Sequence, residues 1–322
     1  MSRSKRIERD STAFAPMKTG SLWTSENGRV RTGWLTAVSL LGFALTSVVL
    51  RRGLQTGFAV LFDSWNINSD NAWRAPAWAA TLFRWQGALT DITISCALLF
   101  LCRWLRRLWR FSGQQPRPAR GFLRAALTGF GAVLIIAALC LIPDSMRLDW
   151  PIAAPRLTSD FPVLCVVALV VTLAEEAFSK RVLYSGLRER RGRTVAAAAV
   201  CILFFLSNGG FAGSMVSGIN VVLLGWACCL IYEHYGLWAV TGFRWGWSVA
   251  NTFLLGFGGG RSSVYRLYGV SENLLTGGDA GPMYGVWTTM LLAGLIGWAM
   301  REPLRRAMRR LKRVHADRRK AQ

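Results

Sequence analysis

The chain has 322 residues, with 39 Lys and Arg against 17 Asp and Glu, a formal charge of +22, 52% apolar residues and only 17% charged ones. Soluble domains usually carry about a quarter charged residues, and a nucleic-acid binder of this charge would not be so apolar. Disorder, a coiled coil and a disulfide scaffold are excluded, which leaves a polytopic membrane protein with basic loops.

In chain order, residues 1–31 are polar and hold seven basic residues. Glu8, Asp10 and Glu26, with no short apolar segment before a small-residue cleavage site, argue against a removable signal. Eight apolar stretches follow, over 32–50, 85–102, 124–142, 161–187, 194–213, 215–232, 237–257 and 282–300, each near the ~20 residues that cross a bilayer. They predict an all-α polytopic membrane helix bundle of about eight transmembrane helices. A basic N-terminal tail covers 1–31, the transmembrane domain 32–300 and a basic C-terminal tail 301–322. The fifth and sixth stretches meet at Asn208-Gly209-Gly210. Segment 51–84 sets Trp65, Trp73, Trp78 and Phe83 among polar residues and reads as an interfacial helix on the outer face. The run Arg301 to Lys320 reads either as a solvated tail or as an amphipathic helix on anionic lipid.

Charge sets the orientation. With eight spans both termini share a side; that side carries 28 basic residues, the opposite side 8, and three lie within spans. The positive-inside rule puts both termini in the cytoplasm. Trp34, Trp85, Trp104, Trp150, Trp238, Trp287 and Trp298 stand near span ends, as interfacial anchors do. Cys96, Cys102, Cys140, Cys165, Cys201, Cys228 and Cys229 lie in or beside apolar runs without a C-x-x-C pair, so they read as small buried hydrophobes.

Ionisable groups are costly in lipid and therefore mark function. The fourth stretch holds Glu175 and Glu176, then Lys180 and Arg181; Glu176 and Lys180 are four apart and can pair on one helical face. Counted at ~1.5 Å per residue, Glu175 lies about 20 Å from Arg188 and Asn208 about 21 Å from Thr194, so the two are level across a hairpin. In the seventh stretch Arg244, Ser248 and Asn251 are spaced by four and then three residues, on one face. Three helices thus direct polar groups toward one interior site. Plainer readings stand beside this one. Arg244 also suits a structural ion pair with Glu175 or Glu176, Asn208 a helix C-cap before two glycines, and Ser248 a packing residue with no His near it. Asp91 is expected near the outer interface, with a place facing the cavity as the alternative. A catalytic zinc site commonly needs three protein ligands. His234, in the turn beside Glu233, and His315, in the basic tail, do not reach the level of Glu175, which leaves Cys201, Cys228 and Cys229 as extra donors.

These residues resemble the CPBP family of intramembrane endopeptidases, which includes CAAX-prenyl proteases and bacteriocin-processing proteins. The family's EExxxR motif reads Glu175-Glu176-Ala177-Phe178-Ser179-Lys180, with Lys180 at the Arg position and Arg181 next. Its FxxxH motif reads Phe204-Phe205-Leu206-Ser207-Asn208, with Asn208 for the histidine. Its HxxxN motif, after Leu237, Trp238 and Gly242, has Arg244 for the histidine and Ser248 for the asparagine. The segment Leu275 to Pro282 (LTGGDAGP) also looks like many bacterial members. The similarity covers roughly residues 160–300. It implies a bacterial cytoplasmic-membrane protein in which Glu175 is the general base, Glu176 with Lys180 its supporting pair, and Asn208 a donor to an oxyanion. A divalent metal such as zinc is the family's implied cofactor, but its histidine ligands are missing here. Arg244 stays protonated and cannot ligate a metal, and beside Glu175 it favours the ionised carboxylate and makes a poorer base.

Two functions follow. One is an intramembrane endopeptidase that cuts a membrane-associated peptide or protein by glutamate-activated water. The other is a catalytically impaired relative that binds a peptide, lipid or partner protein in the same cavity, and the missing histidines favour it. No nucleic-acid partner is expected. A proton-coupled carrier also uses paired carboxylates, but no inverted repeat supports one.

Overall fold

The structure, a computed structural model, describes residues 32–69, 71–109, 121–142, 146–149, 154–208, 214–256, 263–270, 274–277 and 281–301. The expected basic tails (apart from Arg301), Trp150, Gly209, Gly210 and His315 lie outside these residues.

The described residues form eight helical stretches: α1 Thr32–Ser64, α2 Ala77–Trp109, α3 Phe122–Leu141, α4 Ala154–Glu176 continued to Arg191, α5 Arg193–Ser207, α6 Met215–Tyr235, α7 Leu237–Ser248 continued to Leu254, and α8 over 286–301. Each overlaps one apolar stretch of the sequence, with α5 ending at Ser207, α7 at Leu254 and α8 beginning at 286, inside the expected bounds. Helices α1, α2, α3, Asp160–Arg191 of α4, and α6 are long and apolar enough to cross a membrane. The fold is thus an all-α membrane bundle. One two-stranded antiparallel pair joins its loops: β1 Met146–Asp149 and β2 Arg266–Gly269, with Met146 opposite Gly269. On this pair Asp149 accepts from the Tyr268 phenol and holds its pKa above the ordinary value.

Single glycines make the tightest connections. Gly192 (φ +89°) stands between α4 and α5, and Gly236 (φ +87°) between α6 and α7. The left-handed backbone that ends one helix there carries no penalty for glycine. Helix α7 runs parallel to α3 at very short range. Gly242 and Gly246 lie one turn apart, and a Cβ on either would collide with the carbonyl oxygen of Phe122 or Ala126; Gly129 of α3 is closed in the same way by the Phe243 carbonyl. Small residues at this spacing let helix backbones approach closely in membranes. They turn the opposite face of α7, with Arg244, toward the interior.

Segment 51–84 departs from expectation. It is not a separate interfacial helix but the adjoining ends of α1 and α2, each 33 residues long, about 50 Å at ~1.5 Å per residue. Both hydrophobic patterns continue past the span, so the helices do too. Phe62, Ile67 and Ala79 form a small core of their own at the tip, with Trp65 edge-on to Trp78. At the other end of the bundle the Trp109 ring fills the notch left by Gly186, and its indole donates to Ser39 Oγ at 3.1 Å. Fully buried Asn220 of α6 ties down the start of α8. Its amide donates to the Met283 and Gly285 carbonyls at 2.8 and 3.0 Å and accepts from the Thr289 hydroxyl at 2.6 Å.

Candidate functional site

Three segments of wider π-helical turns occur among the described residues: Leu45–Val49, Ala177–Tyr184 and Val249–Leu254. Two of them adjoin the candidate site, where such turns often mark function. The first begins directly after Glu176, the second directly after Ser248.

A cavity of about 360 Å³ lies among α1, α2, α4, α5 and α7. Glu175, Asn208, Arg244 and Ser248 all line it. On α4 its lining runs from Leu164 to Ser179, on α5 from Leu203 to Asn208, and on α7 from Arg244 to Phe253. The cavity therefore occupies the half of the bundle on the β1–β2 side. Beyond it, toward the turns at Gly192 and Gly236, α4 packs with fully buried Phe178, Lys180, Val182 and Leu183.

Four charges meet at this end. Glu176 and Lys180 are both 0% exposed, with Nζ 3.0 Å from Oε2. Arg244 reaches both glutamates: Nη2 is 3.4 Å from Glu175 Oε2, and Nε is 3.4 Å from Glu176 Oε1. Two carboxylates and two cations sum to zero, which limits the cost of keeping them inside a membrane. Neither oxygen of Glu176 receives a well-aligned hydrogen bond, so charge rather than directional bonding holds it. The Phe204 ring carries both cations, Arg244 Cζ at 4.5 Å and Lys180 Nζ at 4.9 Å from its centroid. Desolvated contacts of this kind are worth about 2 kcal/mol. Lys180 also donates to Ser179 Oγ at 3.2 Å, and Ser179 donates to the Glu175 carbonyl at 2.8 Å. Glu175 differs from its neighbour: its side chain is 44% exposed, against 12% for Arg244.

Asn208 faces the same cavity, but its amide donates to the Phe204 carbonyl at 2.8 Å and to Ser207 Oγ at 3.3 Å. It closes the C-terminus of α5 as the cap reading expects, while lining the cavity as well. Ser248 lines the cavity beyond Arg244. Asn251, expected on the same face, does not line it; Thr252 and Phe253 do, because the π turns after Ser248 shift the helical register. Asp91, expected at the outer interface, also lines the cavity, where Arg51 Nη1 holds it at 2.8 Å.

The donor set does not suit zinc. Among the described residues no three His, Cys, Asp or Glu side chains group so as to hold a metal. Both glutamates are already engaged by cations, and the His234 ring, at the far end of α6, meets the Leu230 carbonyl at 2.8 Å. All seven cysteines are free.

Sequence reasoning passed over Phe204 as a platform and Gly246 as a spacer. Both had signals: Phe204 opens the F-x-x-x-N segment, and Gly242-x-x-x-Gly246 is a small-residue motif within an apolar helix.

Residues 157–250 match the family model described as type II CAAX prenyl endopeptidase Rce1-like. All six candidate site residues fall within that segment. No curated protein and no solved structure matches the chain.

Proposed function

Taking as premise that this chain, through residues 157–250, is a multi-pass membrane protein of the CPBP (CAAX protease-like) family, we propose that it binds rather than cleaves. Its ligand is a polar group on a membrane-embedded peptide, protein or lipid, seated against Glu175 in the cavity. The protein resides in a bacterial cytoplasmic membrane with both termini inside, the orientation that 28 basic residues against 8 favour.

One observation carries the reading: the Arg244 guanidinium lies 3.4 Å from both glutamates. A group that never deprotonates takes the position at which the family has a histidine. Glu175 is thereby committed to an ion pair, where a general base needs an available lone pair facing water. The exposed half of Glu175, with Arg244 beside it, still offers a paired negative and positive group to a ligand's ammonium, amide or carboxylate.

The second reading, glutamate-assisted peptide hydrolysis, is favoured by the exposure of Glu175 to a cavity that Asn208 and Ser248 share. A membrane-anchored reporter peptide, incubated with the purified protein in proteoliposomes, separates the two. Binding without cleavage is expected from the native chain, with binding weakened in Glu175→Gln. Cleavage by the native chain that disappears in Glu175→Gln, at unchanged melting temperature, would establish the peptidase instead.

A further inference from the structure

Away from the cavity, Arg106 near the end of α2 and Arg181 in the π turns of α4 are both half-buried. Neither has a carboxylate or hydrogen-bond partner among the described residues. Packing brings them together. The Trp109 ring sits against Gly186, and Arg190 lies over that ring at 5.3 Å while its Nη2 donates to the Trp109 carbonyl at 3.5 Å. Arg106 is three residues before Trp109 and Arg181 five before Gly186, so the two differ in level by only about 3 Å at ~1.5 Å per residue. Their charges act on each other, and both act on the hydroxyl of Tyr232, which shares a 2.9 Å hydrogen bond with Ser185 Oγ. The adjacent carboxylate, Glu233, is already taken by Tyr184, Arg188 and Arg193.

Two half-buried guanidinium groups at nearly the same level, whose charges act on each other and which have no anionic partner among the described residues, are unfavourable unless a ligand supplies the negative charge. The place is right for a phosphate. Arg181 is seven residues, about 10 Å at ~1.5 Å per residue, from Arg188 in the arginine-rich turn of 188–193, on the side of the bundle where basic pockets between helices bind anionic headgroups. We propose that Arg106 and Arg181 clamp one phosphate group between α2 and α4, with the Tyr232 and Ser185 hydroxyls as neighbouring donors. An anionic phospholipid headgroup and free phosphate share this chemistry, and the guanidinium forks match it bidentately.

The full-length protein is purified in phosphatidylcholine nanodiscs, and phosphatidylglycerol is then titrated in; a second arm adds inorganic phosphate to lipid-free micelles. Phosphatidylglycerol binding, read by native mass spectrometry and melting temperature, is expected to weaken about tenfold or more in R106Q/R181Q. R103Q/R107Q, which removes two exposed charges from the same stretch of α2, is expected to lose clearly less. In pure phosphatidylcholine R106Q/R181Q should melt no lower than the native chain, since a repulsion has been removed; this separates a lost site from a lost fold. Arginine-dependent protection by phosphatidylglycerol alone identifies the lipid as the source, and protection by inorganic phosphate identifies a soluble one. Equal losses in the two double variants, or no arginine-dependent binding in either arm, overturn the proposal.

Discussion

At Arg244, the proposal that the chain binds rather than cleaves rests on one side chain and its charge. Removing it leaves fully buried Glu176 with Lys180 as its one remaining cation and Glu175 with no partner at 3.4 Å. Breaking a buried ion pair by deleting one member costs about 3 kcal/mol or more. Arg244→Ala should therefore lower the melting temperature in micelles, and adding Glu175→Gln, which leaves the Glu176–Lys180 pair intact, should recover part of the loss. An unchanged melting temperature in Arg244→Ala would mean that water, not the guanidinium, balances the pair. Metal removal gives a second check at the same scale. A carboxylate pair already held by two cations should be indifferent to a chelator, so melting in its presence should match melting without it. These charges were legible in the sequence as residues and spacing. Their partners were not, because Glu176, Lys180 and Arg244 can pair in several ways on neighbouring helices. Only side-chain packing around Phe204 selects one.

Between elements, the close approach of α3 and α7 matters most to the site. Gly242 and Gly246 face carbonyl oxygens on one side of α7 while Arg244 faces the cavity on another. Gly246→Val would push the two backbones apart, and overpacking of this kind costs about 1–3 kcal/mol. It should lower the melting temperature and weaken ligand binding together. Gly131→Ala on α3 is the contrasting case: a Cβ there meets nothing, and removing a helical glycine stabilises slightly. If Gly246→Val and Gly131→Ala melted alike, close packing would not be what positions α7. Apolar runs near 20 residues made the all-α bundle and its five spanning-length helices legible, since length and hydropathy are one-dimensional quantities. The π turns after Glu176 and Ser248 were not, because no residue type demands them. Thr252 rather than Asn251 consequently reaches the cavity. The tip of α1 and α2 was misread for a related reason: Trp and polar residues suit a membrane surface and a helical hairpin equally. Asn220, buried and triply bonded, had no signal beyond being polar in an apolar run.

For the molecule as a whole, the proposed orientation sets the cavity on the extracytoplasmic half. Leu164, the lining residue of α4 farthest from Ser179, marks its β1–β2 side. In a chain with Cys165 replaced by Ser, a cysteine at position 164 should react with a membrane-impermeant maleimide in intact cells. Reaction confined to inverted vesicles would reverse the orientation, and with it the side from which a ligand arrives. The same bundle keeps its arginine-rich turns and its cavity at opposite ends, so headgroup binding and ligand binding can be measured independently.

In the proposed orientation, the fully buried residues Phe178, Lys180, Val182 and Leu183 lie between the chamber and the cytoplasm. A lipid-modified tail made in the cytosol would meet that packed layer first, whereas molecules already exported, or resident in the outer leaflet, start on the chamber's own side. Which molecules the site can hold is then a matter of geography as much as of chemistry.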